Sequence, residues 1–305
     1  MTSCRYEALF LVVLVSKSWA RIISSRDFIR SFPTGSCSSQ PRFLVCFIGR
    51  TRPWNNRQYC YFVSSSSSST TFPSRVKSPV KNPEFFPFRS HYANGLIRLG
   101  YGKNILIWNP STGKFITLPN VRFSKSFFGY DPVSDHYKIL LKTINRPNGA
   151  NWSQRSLVKF NLRYEKLDFV TSLSADMRID LCGYSLINYM GKVAIPSNVS
   201  RNAFNVWVID QAADPKHGWL KKSFSIDETW ESLSNLRIYG YTHTGEFVVA
   251  PKYYSDDFSV TLFNPNTNGL RKIKVDVNGD YEFKHGHNRS RAMVYSEYVE
   301  SIRLL

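Results

Sequence analysis

Acid is in short supply in this chain of 305 residues: 22 Asp and Glu stand against 40 Lys and Arg, a net charge of +18. The first hundred residues hold only Glu7, Asp27 and Glu84 against 14 Lys and Arg, a local excess of +11. Such a surface attracts polyanions without sequence preference. Dedicated nucleic-acid binders gather their cations on one element, whereas these are scattered singly. The charge therefore reads as a solvated basic face or a match for an acidic protein, and no specific nucleic-acid partner is expected.

Cysteine is scarce and irregular. Cys4, Cys37, Cys46, Cys60 and Cys182 are odd in number and form no C-x-x-C pair. A disulfide framework and a zinc site are both poorly served by that pattern, and reduced thiols in a cytoplasmic or nuclear protein fit it better. Catalytic signatures are missing too: H-E-x-x-H, G-x-S-x-G and G-x-x-x-x-G-K-[ST] do not occur. Gly100-Tyr101-Gly102 lacks a third glycine, and His285-Gly286-His287 has no Cys or carboxylate beside it. Asp256-Asp257 and the Asp176/Asp180 pair fall in apparent loops, which makes them poor acid/base partners. No catalytic residue, cofactor or metal is assigned, and the chain reads as non-enzymatic.

Long apolar runs are also absent. The best, Ala8 to Val15 (ALFLVVLV), falls well short of the roughly 18 residues of a membrane span. It does have the size of a signal-peptide core, with Arg5 before it and Ser18-Trp19-Ala20 after it. A secreted propeller, a lectin or hydrolase, is the alternative this opens, and the sequons at Asn151, Asn198 and Asn288 would matter only there. Against removal, the helical face does not end at the cleavage point: Val15, Trp19, Ile22 and Ile23 recur at helical spacing, with Ser16, Lys17, Ser18 and Arg21 opposite. Residues 9–32 therefore read as helical, with a break at Ser24 to Asp27 and a short turn from Phe28. A Ser/Gly-rich linker covers 34–42.

Beyond Phe43, helix candidates nearly vanish, and what remains is β texture. In ILIWNPSTGKFITLP (105–119), Ile105, Ile107, Phe115 and Thr117 flank a turn in which Pro110 presets φ and Gly113 supplies φ > 0. Hairpins of the same form begin at Leu157, Asn205 and Val260, about 50 residues apart, and Phe263-Asn264-Pro265 repeats the Asn-Pro turn. A second hairpin precedes each of these three, over 127–142, 181–196 and 238–251. Gly129-Tyr130, Gly183-Tyr184 and Gly240-Tyr241 recur there, Gly for close backbone approach and Tyr for packing between units. Upstream, 91–100 joins the 105–119 hairpin, and 43–49, 58–64 and 292–305 read as further strands. The expected fold is mainly β: a β-propeller-like array of antiparallel four-stranded units behind a short helical segment, its ring closed by strands from both termini.

The residues 94–143, with G-L-I-R-L, N-P-S-T-G-K-F-I-T-L-P, F-G-Y-D-P and Y-K-I-L, resemble the F-box-associated interaction domain of the plant-type F-box proteins. The likeness continues, more weakly, over about 35–305. VSKSWARIISSRDFIRSF resembles the second half of an F-box; the Leu-Pro motifs and acidic first helix of a full one are replaced by MTSCRYEALFLVV. The resemblance divides the chain into a partial, degenerate F-box (1–33), the linker (34–42) and a propeller-like interaction domain (43–305). It implies a substrate receptor that docks on a Skp-type adaptor and cullin of an SCF ubiquitin ligase and holds an unknown protein substrate. It assigns adaptor contact to Val15, Trp19, Ile22, Ile23 and Phe28. A stand-alone binding module without adaptor contact is the alternative implied by the half-length F-box. Loops at one face, within Arg146–Arg155 or Tyr253–Phe258, are the expected anchors for the target.

Overall fold

The structure is a computed structural model that describes residues 17–28, 42–48, 58–64, 75–77, 91–118, 125–142, 156–173, 186–198, 202–210, 218–226, 235–275 and 291–301, apart from some positions within these ranges. Among the described residues, one helix, Lys17–Ile23 (α1), precedes a succession of antiparallel strands. They are Arg42–Ile48 (β1), Gln58–Ser64 (β2), Arg75–Lys77 (β3), His91–Ala93 (β4), Leu96–Tyr101 (β5), Asn104–Trp108 (β6) and Phe115–Thr117 (β7). Lys125–Asp131 (β8), His136–Lys142 (β9), Ser156–Asn161 (β10) and Lys166–Ser172 (β11) follow. The remainder are Ile187–Tyr189 (β12), Lys192–Asn198 (β13), Ala203–Ile209 (β14), Trp219–Ser225 (β15), Leu236–Tyr241 (β16), Phe247–Pro251 (β17), Ser259–Asn264 (β18), Gly269–Lys274 (β19) and Arg291–Ser296 (β20).

Four sheets have four strands in simple meander order: β4 to β7, β12 to β15, β16 to β19, and a composite in which β20 stands before β1, β2 and β3. The hairpins β8–β9 and β10–β11 occupy the interval between the second and fourth sectors. The first strands pack side by side, β4 on β8, β12 on β16 and β16 on β20, as around a common axis. The composite sheet is the expected closure by both termini: Phe43 of β1 lies opposite Ser296 of β20 and Ile48 opposite Arg291.

Two-faced burial explains the sequence of these strands. Phe43, Val45 and Phe47 of β1 enter the core shared with β17 and β18, while Leu44 and Cys46 enter the core shared with β5 and β6. One strand thus feeds two seams, so it reads as a continuous apolar run rather than an alternating one. The outermost strands behave differently: all of β7 is exposed, and β19 is exposed except at Ile273. These two sheets therefore end on a solvated edge, and β19 carries Arg271, Lys272 and Lys274 there, charges that discourage edge-to-edge pairing. The seam between the third and fourth sectors is held in part by Trp219, whose indole N–H donates to the Ser172 carbonyl at 3.0 Å.

Turn chemistry fixes the registers. Asn94-Gly95 joins β4 to β5 with φ of 41° and 85°, and Met190-Gly191 joins β12 to β13 with 51° and 80°. Both are two-residue loops with positive φ at both positions, whose backbone matches the right-handed twist of the flanking strands. Gly113 has φ 72°, as the Asn-Pro-Ser-Thr-Gly spacing requires.

The recurring Gly-Tyr pair is only partly what its repetition suggests. Gly240 is a true close approach: a Cβ there would lie 2.7 Å from the Cβ of Ser296 on β20 and would collide with its hydroxyl. Tyr241 packs across the seam on Tyr189, at 4.7 Å between ring centroids. Gly129, however, has open space where its Cβ would be, and Tyr130 packs on Tyr137 of its own hairpin. Gly183 and Tyr184 lie outside the described residues and precede β12, so Tyr189, the last residue of that strand, takes the equivalent place. The physical reason is that only the sector beside the closing strand needs its backbone drawn in.

Three substitutions test this packing. Gly240→Ala is expected to lower unfolding free energy by about 1–3 kcal/mol, the usual range for overpacking, while Gly129→Ala stays within about 1 kcal/mol of the parent. Phe247 is fully buried and touches Tyr189, Phe204, Phe224, Tyr241 and Phe263. Phe247→Ala should cost about 3–5 kcal/mol by urea titration.

Candidate functional site

The topology divides the ring into two ends. The first strand of each sheet runs the same way, as contacts between neighbouring sectors show. Tyr137 at the start of β9 donates its hydroxyl to the Asn94 carbonyl of the β4–β5 turn at 2.7 Å. Tyr189 meets Tyr241 at the ends of β12 and β16, and Gly240 meets Ser296 at the end of β20. The turns 94–95, 132–135, 190–191 and 242–246 therefore share one end with the start of β1 and the finish of β20. The chain enters β1, at Arg42, from that end. The connections between second and third strands, including 199–202 and 252–258, lie at the opposite end.

The helical segment is short. α1 has 7 residues, too few to hold together on its own hydrogen bonds. Ser25 ends it: its amide donates to the Ile22 carbonyl at 3.0 Å, and its hydroxyl accepts from the Phe28 amide at 3.3 Å, starting the expected next turn. Ile22 is 48% exposed beside exposed Lys17, Ser18 and Arg21. Phe28 is half-buried. Trp19 and Ile23 lie within α1; their side chains, and Val15 altogether, lie outside the described residues. The helix thus presents an apolar residue on a basic background, a surface that a partner could complete.

At the opposite end, the two expected anchor segments fare differently. Arg146–Arg155 lies outside the described residues. In Tyr253–Phe258, Tyr253 is 49% exposed, but Phe258 is fully buried and meets Phe47 edge-to-face at 4.8 Å. Phe258 is a core residue rather than an anchor; the segment's short length folds it back under Tyr254, which also packs on Phe47. Asp256 and Asp257 are exposed in the same turn, and Lys274 stands 3.7 Å from Asp257, an ion pair too solvated to build an acid/base site. His285-Gly286-His287, Asp176 and Asp180 lie outside the described residues. Among the described residues there is no cluster of three or more potential metal ligands, and no helix is long and apolar enough to cross a membrane.

Comparison with known proteins now bears directly on these two ends. The profile of the F-box associated beta propeller domain matches residues 42–154 and 148–299. This chain belongs to the F-box protein family. F-box protein At4g11590 of Arabidopsis thaliana is 41% identical, over 96% of this chain and 87% of its own length. Putative F-box protein At5g15660 of the same plant is 34% identical, over 93% and 76%. Putative F-box protein At1g26510, also from Arabidopsis thaliana, is 37% identical, over 86% and 81%. The family's propeller-like domain accounts for the sheets above, and its N-P-S-T-G residues form the β6–β7 turn rather than a surface at the loop-bearing end.

Sequence reasoning missed a buried tyrosine that fastens the closing strand. Tyr239 is the extra residue in a β-bulge between Ile238 and Gly240. The bulge re-aims its side chain, and its hydroxyl donates to the Ala292 carbonyl of β20 at 2.8 Å. Burial pushes the phenol up to about 12, with the Arg237 charge pulling slightly the other way. An aromatic inside an Arg-x-Tyr-Gly strand gives no local sign of this role. In the second sector, Arg98 of β5 is 5% exposed, and burial lowers its guanidinium to about 10, leaving it charged at neutral pH.

Tyr239 yields a pH prediction. The folded chain holds this proton more tightly than the unfolded chain, whose value is near 10.0. Its contribution is therefore intact below pH 10 and is lost as pH rises toward about 12. Other groups titrate there too, Arg98 in the opposite sense, so the comparison is parent against Tyr239→Phe. The parent's advantage in chemical denaturation should shrink by up to about 2–3 kcal/mol between those limits.

Proposed function

We propose that this chain is a non-enzymatic substrate receptor of an SCF-type ubiquitin ligase, working in the cytoplasm or nucleus. The helical segment binds a Skp-type adaptor and, through it, a cullin. The propeller-like domain holds a protein target. The observation that carries this reading is the opposition of the two ends: the chain enters β1 from one, and the second-to-third-strand connections project from the other. A ligase docked at the first would face no competition from a target held at the second. Such a protein has no bond to break. It acts by proximity, raising the effective concentration of the target near the ligase.

The adaptor contact also supplies what α1 lacks. A helix of two turns is marginal in water, and burying Ile22 and its neighbours against a partner stabilises it by about 1.5–3 kcal/mol per large apolar side chain. The free cationic surface adds salt-dependent attraction to acidic partners, which speeds encounter more than it tightens binding.

Co-purification tests the proposal. Tagged full-length chain should bring down adaptor and cullin from plant cells. Ile22→Asp should reduce adaptor recovery at least tenfold while leaving the thermal unfolding of the β domain unchanged, because Ile22 is exposed. Tyr253→Ala should reduce target capture without touching adaptor recovery. Parent chain that captures targets but no adaptor would instead establish the stand-alone binding module.

A further inference from the structure

We propose that the family's Asn-Pro-Ser-Thr-Gly turn, residues 109–113, is a latch: a docking site for the chain's own Tyr298 and Ser301, which follow β20. The latch holds the closing strand β20 in the ring. The inference concerns residues for which the receptor reading has no use, and it stands whether or not that reading does.

The geometry is a two-sided grip. Asn109 is fully buried. Its side-chain amide donates to the Ser301 carbonyl at 3.0 Å, joining positions 192 residues apart. The Ser301 amide donates to the Ser111 hydroxyl at 3.3 Å. Both backbone polar groups of Ser301 are therefore held by the turn, much as a paired strand would hold them. Ser111 also lies 3.0 Å from the Tyr298 hydroxyl. The Tyr298 ring is 3% exposed, packed among Leu44, Ile97, Leu99 and Trp108, with Tyr92 against it at 5.5 Å.

The turn is preformed for this task. The Asn109 side-chain oxygen accepts from the Ser111 amide at 2.9 Å, and the backbone closes with Gly113 donating to the Asn109 carbonyl at 2.9 Å. That local bond fixes the side chain so that its amide points outward to the tail. The second copy of the motif supplies a control inside the same molecule. Asn264 makes the same local bond, to the Asn266 amide at 3.0 Å. It is only half-buried, and among the described residues no tail lies on it. The turn needs only the local bond, so the burial of Asn109 reflects docking and not turn formation.

Position explains the consequence. The tail continues directly from β20, whose other neighbour is β1. Without the latch, the finish of β20 is held only by its ladder to β1 and its packing on β16, and a strand held so lightly opens locally more readily than one inside a sheet. With it, the segment beyond the strand is anchored on the second sector, so β20 is fastened at both ends.

Hydrogen exchange on the full-length protein tests the latch. Asn109→Ala should speed exchange of β20 amides roughly tenfold or more, the factor that corresponds to losing a buried hydrogen bond worth about 1.4 kcal/mol. Asn264→Ala should leave β20 unchanged. Equal effects from the two variants would overturn the proposal. Should Asn109→Ala fail to fold, Ser111→Ala and Tyr298→Phe remove one grip each. Both must then accelerate carboxypeptidase trimming of the tail severalfold, and trimming at the parental rate would equally overturn it.

Discussion

The pairing of β20 with β1 is the constraint on which this molecule turns. A ring of sheets has no natural end, so one sheet must be assembled from the two extremes of the chain. Here β20 is inserted ahead of β1, with Phe43 to Ile48 matched residue by residue against Ser296 to Arg291. That pairing covers an edge that would otherwise invite association with another chain. It also lets β1 bury both faces, one against the last sector and one against the second. Loss of β20 would therefore expose two cores rather than one.

Several features that look unrelated serve the same closure. Gly240 is small where β16 meets Ser296. Tyr239 is bulged out of register so that its hydroxyl reaches the Ala292 carbonyl. The Ala292 amide in turn donates to the Lys252 carbonyl at 3.0 Å, tying the start of β20 to the end of β17. Asn109 and Ser111 receive the segment beyond its finish. Closure is thus spread over three sectors, which suits a binding platform whose loops must stay in fixed relation while gripping another protein.

The link from fold to function runs through direction. Antiparallel meanders of even strand number return the chain to the same end each time, so one end collects tight turns and the other collects the second-to-third-strand connections. The chain joins at the tight-turn end because β1 takes the second-strand position. Had β1 been a first strand, the chain would have entered among the loops instead. The composite sheet therefore decides at which end the chain enters the ring.

Much of this was legible in the residues alone. Asn-Pro-x-x-Gly between apolar runs marked a hairpin, because turn geometry is local and only certain residues reach positive φ. The recurrence of hairpins near 50 residues marked four-stranded units, and the strand-like tail suggested closure, because an unpaired edge is costly in any sheet. What local pattern could not convey was which copy of a repeated motif does something different. Asn109 and Asn264 sit in nearly the same words, as do Gly129 and Gly240, yet one of each pair is buried against the closing strand or its tail and the other is only half-buried. Phe258 and Tyr253 likewise differ only in what lies across from them. Repeats make such residues alike in sequence, and only their neighbours in space, contributed by segments up to 192 positions away, make them unlike in role.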